Sequence, residues 1–245
     1  MAIAFHAQTA NNSETLTVPT VTNGDLMIAF WMGWNTGGNI GTAPTNASWN
    51  LLTYQSSGSA GYGIWWRIAS SEPASYTWSW PTGHYPFRSE WVCFTYSGTR
   101  RSSAAINASN YPAMLTMATE TSETTTAITT SVANTVFLAI WGSEGGGAAP
   151  TIDASLTSRV AHDDTAINGC ADYAGDKAIA SAGSTGTVTF TVPGAQSGVQ
   201  VAFPVLAIAP YLAPSASGVS VGYGSFTRTG PNNTPWTLNF TAAGD

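Results

Sequence analysis

The sequence predicts an all-β protein, an antiparallel β-sandwich built from two related halves and followed by a short β extension. Three observations predict it. The most apolar run, Asn23-Gly24-Asp25-Leu26-Met27-Ile28-Ala29-Phe30-Trp31, is echoed about 110 residues later by Asn134-Thr135-Val136-Phe137-Leu138-Ala139-Ile140-Trp141, as in an internal repeat. Strand-length segments rich in branched and aromatic residues are bounded by Gly, Pro and Asn turn signals. Nowhere does a helical period continue without Gly or Pro interrupting it.

In chain order, residues 3–8 form a first edge strand. Leu16-Thr17-Val18 alternates and stops at Pro19, which suits an edge position where no ladder donor is needed. Asn23-Gly24 is a turn, since both residues tolerate positive φ. Leu26–Trp34 follows as a strand buried on both faces, too short to cross a bilayer, which takes about 20 apolar residues. Asn35–Ser48, with Gly37-Gly38 and Pro44, is a long loop. Trp49–Tyr54 resumes a strand, and Gly61–Ala69 is another, with Tyr62, Ile64, Trp66 and Ile68 on one face and Trp65 and Arg67 on the other. After a turn at Ser70–Pro73, Tyr76-Thr77-Trp78-Ser79-Trp80 places three aromatics on one face. Pro81–Arg88 is a loop, and Trp91–Tyr96 closes the first half at Ser97-Gly98.

Arg100–Thr125 reads as a Ser/Thr-rich connection. The second half then supplies strands at Val136–Trp141, Leu156–Ala161, Ala171–Ala180, Thr187–Val192 and Val199–Ala209. Ala43-Pro44 and Ala149-Pro150 correspond, each in the loop after a central strand, while Tyr62–Ala69 aligns with Tyr173–Ala180 and Tyr76–Ser79 with Thr187–Phe190. The expectation is one sandwich over residues 1–210, its halves at about 3–98 and 126–209, closing over a single apolar interior. Residues 211–245 form an extension with strand-like pieces at Val219–Thr227 and Trp236–Thr241. Such strands cap an edge of their own sheet or add to a neighbour's, with Tyr223, Phe226 and Trp236 as candidate subunit contacts.

Composition narrows the function classes. Charged residues make up 8% of the chain, against roughly 25% in ordinary soluble domains. Ser, Thr, Asn and Gly replace them, so the surface is polar but nearly neutral and offers little repulsion to close neighbours. With a net charge of −6, a single lysine and Arg100-Arg101 as the one basic pair, the chain lacks the basic stripe a nucleic-acid binder needs. Cys93 and Cys170 allow a bridge between equivalent strands or two free buried thiols; the free thiols, acting as small apolar residues, are favoured. The N-terminal stretch has neither the basic region nor the apolar segment of a secretory signal.

Catalytic chemistry is sought and not found in the pattern. Glycan hydrolysis needs two carboxylates across a cleft; Asp172 and Asp176 share one strand face, which reads as solvated. His6, His84 and His162 are scattered and no nucleophile elbow is present. His162-Asp163-Asp164 reads as a polar turn, and no calcium-loop spacing occurs, so no metal or cofactor is expected. The ten tryptophans carry the best binding signal, although Trp31, Trp66 and Trp141 lie in strongly apolar runs and belong to the core. Tyr76, Trp78 and Trp80 fill the sandwich if they face inward and form a stacking surface for sugars or a partner if outward. The loop His84-Tyr85-Pro86-Phe87-Arg88 and the end of the long strand complete the candidate binding set of Trp34, Trp78, Trp80, His84, Tyr85 and Phe87.

The order of Thr-Val-Pro, Asn-Gly-Asp-Leu with an apolar strand, Trp-Asn-Leu-Leu, Ile-Trp-Trp-Arg-Ile-Ala, Ser-Glu-Pro-Ala-Ser-Tyr-Thr-Trp and a strand ending Tyr-Ser-Gly resembles a group of bacterial and phage surface modules. The likeness covers about residues 3–210 and is most specific at Glu72–Thr77; in the second half Gly183-Ser184-Thr185-Gly186 stands where Glu-Pro would be. It implies a jelly-roll sandwich of the kind found in cell-surface proteins, phage tail proteins and virion decorations, and it brings no catalytic residues. The resulting expectation is a non-enzymatic phage structural protein: a capsid decoration or cement protein, or a tail-associated surface component. It would be made in the host cytoplasm without a signal peptide, reside on the virion surface, and act through contacts with other virion proteins and with itself. No membrane or nucleic-acid partner is expected. The alternative is a carbohydrate-binding, receptor-recognising module that engages cell-surface glycans.

Overall fold

The computed structural model describes residues 2–11, 15–35, 40–80, 88–102, 105–117, 121–144, 149–163, 170–192, 194 and 199–211. All of them fall in one compact unit, Met1–Tyr211. The extension, with Tyr223, Phe226 and Trp236, lies outside the described residues, as does the loop holding His84, Tyr85 and Phe87.

Two turns launch the two most apolar strands. Gly24 has a φ of +94° and Asn134 a φ of +57°, a region that glycine enters freely and asparagine tolerates. The first half contains β1 (Ala4–Asn11), β2 (Thr15–Thr17), β3 (Leu26–Trp34), β4 (Asn50–Ser57), β5 (Ala60–Ile68), β6 (Ser75–Thr77) and β7 (Arg88–Ser97). Five of these form an antiparallel sheet in the order β1-β7-β3-β5-β4, and β2 pairs with β6 as a separate thin layer. His6 on β1 bonds through Nδ1 to Oδ2 of Asp25 at 2.7 Å, fixing the edge strand to the turn that starts β3.

The second half contains β8 (Ile106–Asn110), β9 (Leu115–Thr116), β10 (Ser122–Thr124), β11 (Thr129–Thr130), β12 (Thr135–Glu144), β13 (Thr151–Ile152), β14 (Thr157–Asp163), β15 (Cys170–Ile179), β16 (Gly183–Ser184), β17 (Thr189–Thr191), β18 (Gln200–Ala202) and β19 (Val205–Ile208). Its main sheet repeats the order of the first. Strand β12 takes the place of β3, β15 and β14 those of β5 and β4, the pair β18 and β19 that of β7, and β8 with β9 that of β1. The strand matching β7 breaks at Phe203-Pro204, where proline removes a ladder donor. The outer layers here are β10-β17-β13 and β11-β16. Arg100–Thr125 is therefore not a mere connection, because β8, β9 and β10 lie within it. These strands are short and polar, so they lack the alternation that marks a half-buried strand.

The two main sheets pack face to face, with β3 over β12, β7 over β15 and β1 over β14. Side chains alternate along each strand, so Leu26, Ile28, Phe30 and Met32 meet Leu138 and Ile140 in a shared central core. Met27, Ala29 and Trp31 point the other way, into an outer core closed by Leu16 and Tyr76. Phe137, Ala139 and Trp141 do the same in the second half, under Val188 and Phe190. The single interior expected from the sequence is thus three, separated by the main sheets. Central strands covered on both faces explain the unbroken apolar runs.

The pairing register corrects the alignment of the halves. Trp31 lies opposite Gly63, whereas Trp141 lies opposite Tyr173. Tyr62 therefore corresponds to Asp172, and Arg67 to Lys177, one residue off the alignment of Tyr62–Ala69 with Tyr173–Ala180. Likewise Thr45 bridges Ser79 and Thr151 pairs with Thr191, so Tyr76–Ser79 matches Val188–Thr191 rather than Thr187–Phe190. The Ala-Pro correspondence holds, since each of these dipeptides delivers the threonine that makes that pairing. A one-residue shift matters in a strand because it sends every side chain to the opposite face.

Candidate functional site

The aromatic candidates separate by burial. Trp78 is 3% exposed, its ring stacked on Trp91 with centroids 4.1 Å apart and edge-on to Trp65 at 5.7 Å. It offers no surface to a sugar or a partner and leaves the binding set. The alternation of Tyr76, Trp78 and Trp80 faces inward: Tyr76 is buried, and Trp80 packs half-buried against Trp31 at 4.7 Å. Trp34, at the end of β3, is half-buried and donates its Nε1–H to Ser59 Oγ at 2.9 Å. The remaining candidates, His84, Tyr85 and Phe87 in the loop and Tyr223, Phe226 and Trp236 in the extension, lie outside the described residues.

The thin layer of the first half is held by charge. Arg67 on β5 reaches across to Glu72 at 3.0 Å and donates to the Tyr76 hydroxyl at 2.5 Å. Tyr76 in turn donates to Glu72 Oε2 at 2.5 Å. Burial, reinforced by the Glu72 carboxylate, pushes the Tyr76 hydroxyl up to about 12, so it stays a neutral donor. The most specific stretch of the sequence, Glu72–Thr77, thus ties the outer layer to the main sheet.

A second polar group lies where the main sheets meet. Tyr96 on β7 donates to Asp176 Oδ2 at 3.0 Å, and Arg159 on β14 bonds Asp176 Oδ1 at 2.8 Å. The Arg159 guanidinium also sits 4.3 Å from the ring of Phe5 on β1. Burial, with Asp176 beside it, holds the Tyr96 hydroxyl well above its ordinary range. Further along, His162 Nδ1 on β14 hydrogen-bonds Glu90 Oε1 on β7, and Glu90 is fully buried. Asp172 on β15 lies directly opposite His162 on the neighbouring strand. It is 1% exposed, and both its carboxyl oxygens lack a hydrogen-bond partner among the described residues.

Asp172 and Asp176 do share a face, as the alternation requires, but that face is the central core rather than solvent. His162 is likewise no loose polar turn: it bonds across the sheets, while the side chains of Asp163 and Asp164 lie outside the described residues. Sequence reasoning missed Glu90 altogether. The signal was present, since Glu90 stands in period-two register with Val92, Phe94 and Tyr96, all buried in the central core. Among the described residues no three His, Cys, Asp or Glu side chains converge as a metal site requires. Cys93 is a free, fully buried thiol whose burial raises it far above its ordinary range.

The chain matches no protein-family model, no curated protein and no solved structure.

Proposed function

We propose that this protein is a non-enzymatic structural component of a phage particle, a capsid decoration or cement protein or a tail-associated surface protein, working through contacts with neighbouring virion proteins and with itself. One observation carries the reading. Among the described Asp, Glu, Lys and Arg side chains, Arg101 alone is exposed. The others are buried or half-buried, and several tie layers together inside the fold. Among the described residues, what is exposed is mainly Ser, Thr and Asn with little charge, which suits close and permanent packing against neighbours. The sequence resemblance to phage and bacterial surface modules of jelly-roll type supports the same reading. Burial of Trp78 weakens the carbohydrate-binding alternative.

Mass spectrometry and cryo-microscopy of purified particles test it: the protein is expected at a fixed copy number per virion, and its absence from particles would end the proposal. Deleting 212–245 is expected to leave a folded sandwich that no longer assembles. A truncated chain that still decorates particles would remove the extension from the contact.

A further inference from the structure

Asp172 is an anomaly. A carboxylate with no partner is among the costliest groups to bury, and native folds leave few such groups unexplained. Its surroundings are defined. From β12, Gly142 lies directly opposite and Glu144 two residues further on, buried at 6% exposure. A Cβ on Gly142 would stand 2.7 Å from the Phe30 ring and 3.2 Å from Asp172 Oδ1, so β3 presses Phe30 onto this spot. From β14 comes His162, held by Glu90 of β7, and on its own strand Asp176 is committed to Tyr96 and Arg159. From β3 and β5, Phe30, Met32 and Tyr62 face the same central core, and the Tyr62 hydroxyl is spent on the Pro112 carbonyl at 2.5 Å. The side chains of Arg88, Asp163 and Cys170 lie outside the described residues. Among the described residues, then, the histidine opposite Asp172 is engaged by Glu90, and no side chain hydrogen-bonds either Asp172 oxygen.

We propose that the end of the seam where Asp172, His162 and Glu90 come together is a proton-operated latch between the two halves, closed while a proton sits on the Asp172 carboxyl and loosened when that proton leaves. As a neutral acid, Asp172 costs far less to bury beside the Phe30 ring than it does as an anion. As an anion, it meets no hydrogen-bond donor among the described residues. Burial independently holds this carboxyl well above the usual carboxylate range. The sign follows from linkage. A group raised in the folded state contributes stability that is complete below its unfolded value and is lost as pH rises toward the folded one. The native chain therefore weakens with rising pH from the ordinary carboxylate range upward, by up to about tenfold in its folding constant per pH unit.

The test compares the full chain with Asp172→Asn, which keeps the shape and cannot ionise. Three measurements are made between about pH 5 and about pH 9, roughly the span over which ordinary carboxylates are already ionised. The infrared carbonyl band of a protonated carboxylic acid is expected in the native protein near neutrality and absent from Asp172→Asn. Unfolding midpoints of the two are expected to diverge with rising pH, the native protein falling relative to the variant. Amide exchange, corrected for intrinsic rate, is expected to quicken in β7 and β15 as the band disappears. Parallel midpoint curves would overturn the latch. So would native protein without the band, a measurement that stands even if Asp172→Asn fails to fold.

Discussion

The two halves reach the same strand order with different fillings. In the first, the outer core is a packed set of indoles, Trp31, Trp49, Trp65, Trp78 and Trp91; in the second, Phe137, Phe190 and several valines do that work around one tryptophan, Trp141. The exchange is sharpest on β5 and β15. A Cβ on Gly63 would run into the Trp65 indole, so the large side chain folds back over the glycine two residues before it. At the corresponding positions the second half has Tyr173 and then Gly175, whose missing Cβ leaves room for Leu156 and Ile152. The bulk has moved two residues along the same face. The repeat thus keeps bulk on the same face without keeping identity at each position, as cores that tolerate redistribution allow.

The largest effect is expected from breaking that exchange. Trp65→Gly should cost about 3–5 kcal/mol, as for a large aromatic deleted from a core. Because both halves share the central core, calorimetry should still show one transition; a second transition would mean that the halves unfold independently. Adding Gly63→Tyr to that variant copies the second half into the first and should recover about 1–3 kcal/mol through coupling between neighbours. No recovery would dissolve the equivalence of the two pairs.

Next in size is the contrast between Arg67 and Lys177, which occupy matching positions. Arg67 is one partner of a largely buried ion pair that carries a whole layer, so Arg67→Ala should cost about 3 kcal/mol or more in denaturant titrations. Lys177 sits over the Phe137 ring at 5.3 Å and acts on Asp153 through space, without a buried ion pair, and Lys177→Ala should cost about 1 kcal/mol or less. Equal losses would erase the distinction.

The smallest expected effect concerns the loops after the central strands. Asn46 Oδ1 accepts the Ser48 amide at 2.9 Å and Asp153 Oδ1 the Ser155 amide at 2.8 Å, the same turn built once with a neutral side chain and once with an acid. Hydrogen bonds from Ser155, then from the Thr189 amide, hold the Asp153 carboxyl below the usual range. Its folded value is depressed, so its contribution is present above the unfolded carboxylate value and lost as pH falls below it. Asp153→Asn should flatten this acid-side loss in midpoint-versus-pH curves, and a curve unchanged in slope would count against it.

Much of this was written in the residues. Leu26–Trp34 and its echo announced central strands because burial on both faces removes polar residues from both registers. Alternation put Tyr76, Trp78 and Trp80 on one face, and only the packing of Trp78 on Trp91 and Trp65 shows that this face is inward. Other features were hidden for physical reasons. Ser122–Thr124 pairs with β17 through its backbone, and such an edge carries no apolar signature. The tyrosines at 62 and 173 invited alignment, yet they serve opposite faces of their sheets. Asp172 looked solvated because nothing local distinguishes a carboxylate under another sheet from one in water; that cover is supplied by Phe30, more than a hundred residues away in sequence.

Among the described residues, charge is drawn mostly into the fold, which leaves little on those faces for mobile ions to screen. The attachments proposed for its outer faces would rest on hydrogen bonds and shape, so their strength is expected to change little between dilute buffer and brine.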